Sequence, residues 1–144
     1  MALADKKVDP DAKVDTTIAA TIARRLEGGM LPCAAACALA TELGCAPAVV
    51  GATADALRIS LTECQVGLFG YPGHAKGWDA AGVAALPASA ALEAALLAAR
   101  NDRGELTCLA VWKAAERAGS SRMQAGYVAE RLGIKIRDCQ LGAF

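Results

Sequence analysis

Apolar positions near the start of the chain recur at helical spacing. Ile18, Ile22 and Leu26 fall on one face, while Arg24 and Arg25 turn toward water. With Asp15 as N-cap, this predicts a helix over Thr16 to Glu27, ended by Gly28 and Gly29. Met30 and Leu31 read as a short extended piece. Pro32 suits the first position of a second helix, which runs to about Leu43 and is capped by Gly44. After a Cys45-Ala46 turn, Pro47 opens a third helix to about Leu57. The alternation Ile59-Ser60-Leu61 predicts a strand, and a turn at Thr62-Glu63 leads to a returning strand over Gln65 to Phe69. Further on, Ser89 caps a helix over Ala90 to Asn101 with Leu92, Leu96 and Ala99 on one face. Gly104-Glu105-Leu106 is extended, Cys108 to Ala118 is helical and Gly119-Ser120 turns. Ser121 and Gln124 form a capping box for a helix ending near Leu132-Gly133, and Ile134-Lys135-Ile136 is a strand.

The second pattern repeats the first. Shifted by 75 residues without a gap, residues 18–69 match 93–144 at 18 of 52 positions. Alanine inflates that count, but the matched Gly, Cys, Gln and Phe do not come from alanine bias. Cys64-Gln65-Val66-Gly67-Leu68-Phe69 returns as Cys139-Gln140-Leu141-Gly142-Ala143-Phe144. The expected organisation is a disordered tail (1–14), a first unit (15–69), a Gly/Pro linker (70–88) and a second unit (89–144). The linker assignment rests on Gly70, Gly73, Gly77, Gly82, Pro72 and Pro87, which are turn formers. The fold class is mainly α with short β strands, in two tandem three-helix units. Each unit is small enough to need a partner surface.

Composition narrows the function classes. Hydrophobic residues make up 55 %, much of it Ala, and aromatics only 4 %, which favours helices packed closely through small side chains. Fifteen basic residues balance 15 acidic ones, so there is no overall cationic excess for nucleic acid. Residues 91–144 carry eight basic and six acidic residues, against three and four in residues 16–69. The first residues lack the apolar core of a signal peptide, and the weakly charged run Ala80 to Ala99 contains Pro87, Ser89 and Glu93, so neither a leader nor a membrane span is expected. Six cysteines without a secretion signal point to a cytoplasmic protein with reduced thiols. No Ser–His, Cys–His or carboxylate pair stands at catalytic spacing, so the expectation is a non-enzyme without a cofactor.

Three helices, a strand between the first two, a glycine turn between the second and third and then a strand or hairpin resemble the winged helix-turn-helix superfamily. In that motif a small residue stands four positions before the turn glycine, and core positions follow six and nine after it. Here these are Ala40, Gly44, Val50 and Thr53, and again Ala115, Gly119, Ala125 and Val128. The resemblance implies that the third helix enters the major groove of DNA. In the second unit its outward face is Arg122, Met123, Gly126, Tyr127 and Glu130, with Gln124 and Arg131 at the margins, and Lys135 and Arg137 lie on the following strand. The implied nucleic-acid contacts are Arg122, Gln124, Tyr127, Arg131, Lys135 and Arg137. The first unit's face has no basic residue. Ala48, Gly51 and Ala52, with Gly126 at the position matching Gly51, are therefore expected to pack against the partner unit or a second chain. A mid-helix glycine costs about 1 kcal/mol relative to alanine, so something must approach closely there.

The resemblance also brings together the repeated cysteine positions. Cys33 and Cys108 begin second helices, and Cys64 and Cys139 follow strands, so each pair is a redox or metal candidate, with inert burial as the alternative. The lone His74 lies in the glycine-rich linker, where an exposed side chain is expected and a ligand or sensor role is the alternative. The leading expectation is a DNA-binding regulator acting through the second unit. The alternatives are a protein-interaction or homodimerising module that has lost DNA binding, and a thiol or metal sensor.

Overall fold

Asp15 and Ser89 each start a helix by accepting a backbone N–H in the first turn, Asp15 from Thr17 and Ile18 and Ser89 from Leu92. In this computed structural model, which describes residues 15–87 and 89–144, the order helix, strand, helix, helix, strand occurs twice. First come α1 (Thr16–Ala23), β1 (Leu31–Pro32), α2 (Cys33–Leu43), α3 (Pro47–Ala56) and β2 (Leu61–Thr62). After α4 (Gly77–Ala81) and a 3-10 turn (Val83–Ala85) come α5 (Ala90–Ala98), β3 (Leu106–Thr107), α6 (Cys108–Ala118), α7 (Arg122–Arg131) and β4 (Ile136–Arg137). The described residues are thus mainly helical with a few two-residue strands. The expected tail, residues 1–14, lies outside them.

Two compact units form. One runs to Cys64 and takes in Gln140–Phe144; the other is Gln65–Cys139. This differs from the expected division at residues 69 and 89, because Gln65 to Phe69 belongs with the later helices and Gln140–Phe144 with the earlier ones. In the first unit α1, α2 and α3 pack around Ile18, Ile22, Leu39 and Val50, with Leu141 also buried. In the second, α5, α6 and α7 pack around Leu92, Leu96 and Val111, with Val66, Trp78 and Val83 also buried.

Both third helices follow a glycine turn. Gly44 and Gly119 end the second helices in the left-handed region, at φ 65° and 67°, which a side chain enters only at a cost. Pro32 is the N-cap of α2 at φ −61° rather than its first residue. Each unit holds a parallel two-strand ladder, Leu31 opposite Leu61 and Leu106 opposite Ile136. The strands start later than alternation suggested because the chain first makes a left-handed step after the third helix, at Arg58 (φ 59°) and at Gly133 (φ 71°). Arg58 holds a conformation that suits glycine. Arg58→Gly is therefore expected to raise stability by about 1 kcal/mol, read as a higher urea midpoint.

The ungapped 75-residue shift fails at the first helix. Asp15 and Ser89, Ile18 and Leu92, and Ile22 and Leu96 play equivalent parts at a spacing of 74. The identities that a spacing of 75 gives at Ala19, Ala20 and Ala23 come from alanine-rich helices in the wrong register, and the one at Arg25 lies beyond the helix. The extra residue lies in the following turn. Glu27 and Met30 exchange backbone hydrogen bonds of 2.7 and 3.0 Å across Gly28 and Gly29, both at positive φ. Asn101 bonds instead to the carbonyl of Glu105, one residue further on, and its side chain accepts from the N–H groups of Arg103 and Glu105. The two-residue turn also draws the chain out of α1 before Glu27, so that helix is shorter than its apolar spacing suggested.

Two further expectations are corrected. Gln65 to Phe69 is a series of turns, not a returning strand. Glu63 and Gly67 are both left-handed, and the backbone between them lies against a helix rather than a strand edge. The Gly/Pro stretch is not a bare linker, because it contains α4 with buried Trp78 and the 3-10 turn with buried Val83. Its glycines cap and make room: Gly82 ends α4 at φ 67°, and a side chain on Gly77 would meet the Tyr71 ring.

The closed face of the third helix

The mid-helix glycines of α3 and α7 have the same neighbour chemistry. A Cβ on Gly51 would overlap the carbonyl oxygen of Leu141, and one on Gly126 that of Val66. Leu141 and Val66 are the apolar residues after Gln140 and Gln65. Each glycine is thus a notch that receives the backbone of a Cys-Gln-x-Gly-x-Phe segment. Of the four residues expected to pack, Gly51 and Gly126 are buried beneath that backbone, while Ala48 and Ala52 are exposed.

On α7 the cover extends along the face. A side chain on Gly67 would touch Met123 Sδ at 2.7 Å and the Trp78 ring at 2.6 Å. Gly67 also accepts a 2.7 Å backbone hydrogen bond from Gly77, which holds the segment and α4 together. The Trp78 and Tyr127 ring centroids are 6.1 Å apart, tilted at 58°, and Lys76 Nζ lies 5.7 Å from the Trp78 ring centroid. Met123, Gly126 and Tyr127, the centre of the face that the winged-helix resemblance aimed at a groove, therefore lie against backbone and an indole ring of the same unit.

The six residues expected at nucleic acid have different neighbours. Arg122 stands over the Trp112 ring, 3.5 Å from its centroid, and donates to the Gln65 side chain. Gln124, Tyr127 and Arg131 border a cavity of about 120 Å³ with Val83, Leu86 and Glu93. Within it Arg131 donates to the Tyr127 hydroxyl at 3.2 Å, which raises the guanidinium pKa above its usual value. Lys135 and Arg137 are exposed beside a second cavity of about 450 Å³ that Leu68 and Glu130 also line. Arg137 is ion-paired with Glu105 at 3.2 Å.

Cys33 and Cys108 are the first residues of α2 and α6, and both are buried. Cys64 is buried and Cys139 half-buried, each two residues beyond a ladder strand. Among the described residues no group of three or more His, Cys, Asp or Glu side chains could hold a metal ion, so the metal candidate finds no ligand set. His74 is exposed. No single helix among the described residues is long and apolar enough to cross a membrane.

Sequence reasoning missed Trp78 and Gln65. The signal for Trp78 was the residue itself, since a large indole in a glycine-rich stretch needs a surface to cover it. For the segments, the signal was the coincidence of two repeated features, the mid-helix glycine and the Cys-Gln-x-Gly-x-Phe run. Comparison with protein-family models, curated proteins and solved structures finds no match for this chain.

Proposed function

We propose that this chain is a non-enzymatic protein-interaction module, built from two tandem winged-helix-like frames whose third helices no longer read DNA. The observation that carries this reading is the closure of the α7 face by Val66, Gly67 and Trp78. Base readout needs side chains free to reach groove edges, and a helix whose central face is filled by its own chain presents none there. The repeated helix order, the paired glycine caps and the identical ladder register support a duplicated frame. Loss of the returning strand removes the wing as a second DNA contact.

A second reading has its own support. Arg131, Lys135 and Arg137 are exposed at the end of α7 and around β4. They suit phosphate contacts that are sequence-independent and salt-sensitive.

Fluorescence anisotropy with a labelled random duplex across a salt series separates the two. The interaction-module reading expects no binding even at low salt. Weak binding that falls steeply with salt, and falls further in Lys135→Ala and Arg137→Ala, would establish the phosphate reading. Sequence-selective binding lost in Gln124→Ala would overturn the closed-face argument altogether.

A further inference from the structure

We propose that the cavity between α5, α7 and the 3-10 turn binds a free α-amino acid with a small apolar side chain. Its volume is about 120 Å³. A cavity of about 150 Å³ takes one benzene, so a ligand of similar size is admitted here. The cavity lies wholly within the second unit. Such a site goes beyond the interaction-module reading and needs no partner chain. Gln124, Tyr127, Val128 and Arg131 stand at i, i+3, i+4 and i+7, so one stripe of α7 forms a wall. Glu93 lines the cavity from α5, and Val83 and Leu86 add apolar surface.

Arg131 and Glu93 line this one cavity and form no ion pair with each other. Arg131 donates Nη1 to the Tyr127 hydroxyl at 3.2 Å, and its other N–H groups make no hydrogen bond among the described residues. The Glu93 carboxylate and the Gln124 carboxamide have no hydrogen-bond partner among the described residues either. The guanidinium pKa is raised first by the Tyr127 hydroxyl and to a lesser degree by the Glu93 charge, so the two ions are near enough to act on one another. A separated cation and anion with spare bonding capacity match the carboxylate and ammonium of a zwitterion. The ligand carboxylate accepts from Arg131, and its ammonium donates to Glu93. Its side chain lies on Val83, Leu86 and Val128, where Leu86 is a large apolar residue left 49 % exposed. The frame does not need these charges. The equivalent positions in the first unit are Val49, Ala52, Thr53 and Ala56 at a spacing of 75, and Ala19 at the first-helix spacing of 74. That unit packs its three helices without them.

The test is an NMR titration of the full chain with L-valine, N-acetyl-L-valine and L-valinamide. L-Valine is expected to shift the backbone amide signals of Glu93, Gln124, Tyr127 and Val128 in a saturable way. N-acetyl-L-valine lacks the ammonium and L-valinamide the carboxylate, so each is expected to bind about tenfold or more weakly. Glu93→Gln is expected to abolish the preference for L-valine over the N-acetyl form, and Arg131→Gln the preference over the amide. Both variants should keep their helical circular dichroism. No saturable shift at these amides with L-valine in the tens of millimolar overturns the proposal, as do shifts confined to other parts of the chain. Equal binding of N-acetyl-L-valine overturns it in favour of a peptide C-terminus, and equal binding of L-valinamide overturns the carboxylate contact on which it stands. Folded variants that bind all three ligands as the wild type does place the ligand elsewhere and overturn it too. Should a variant fail to fold, the three ligands on the wild-type chain still decide.

Discussion

Gly126→Ala is expected to destabilise the protein by about 2–3 kcal/mol, although alanine is the better helix former. Propensity alone favours the substitution by about 1 kcal/mol at a mid-helix position. Geometry opposes it, because the new methyl would occupy the place of the Val66 carbonyl oxygen, with Val66 Cα only 3.2 Å away. Rigid neighbours make overpacking cost about 1–3 kcal/mol. Here the neighbour is main chain, so relief means lifting the segment. Val66, fully buried, then returns to water at a further cost of about 1.5–3 kcal/mol. The collision therefore outweighs the propensity gain. Urea unfolding followed by circular dichroism gives the sign directly. A stabilised Gly126→Ala protein would show that the segment does not sit in the notch.

Trp78→Ala is the second large effect, with an expected loss of about 3–4 kcal/mol, in the range of aromatic truncations in cores. Trp78 is only 5 % exposed, faces Tyr127 and covers Gly67. Its removal opens a cavity and frees the segment that closes α7. A residue in a solvated linker would cost almost nothing when truncated, since surface changes stay within about 0.5 kcal/mol. The same urea titration thus separates a structural α4 from a bare connection. The variant is also expected to make the Gln65 to Phe69 stretch more readily cut by protease, because it loses its cover.

Local chemistry explains what was legible in the chain. Asp15, Ser89 and Ser121 cap helices at the positions their types suggest, Pro47 opens α3, and Gly44 and Gly119 close α2 and α6. These devices act within a few residues, so they appear directly as residue types. The glycines at 51 and 126 showed that something must come near, since a mid-helix glycine has no local reason to be there. They did not show what. An ungapped alignment also could not place the extra residue in the Asn101 turn, because alanine-rich helices match in more than one register.

By itself, the sequence determined a mainly helical chain with short strands, the starts and stops of most helices, and two places where a side chain is forbidden. Tertiary structure decided which backbone fills those places. It turned the expected wing into a strap across α7, drew Trp78 out of a supposed linker into the core, and gave the six residues expected at DNA their neighbours, Arg122 the Trp112 ring among them. The physical reason is distance along the chain. Caps and turns are set by neighbours in sequence, whereas Leu141 at Gly51 is a long-range main-chain contact that leaves only its glycine half visible in the sequence.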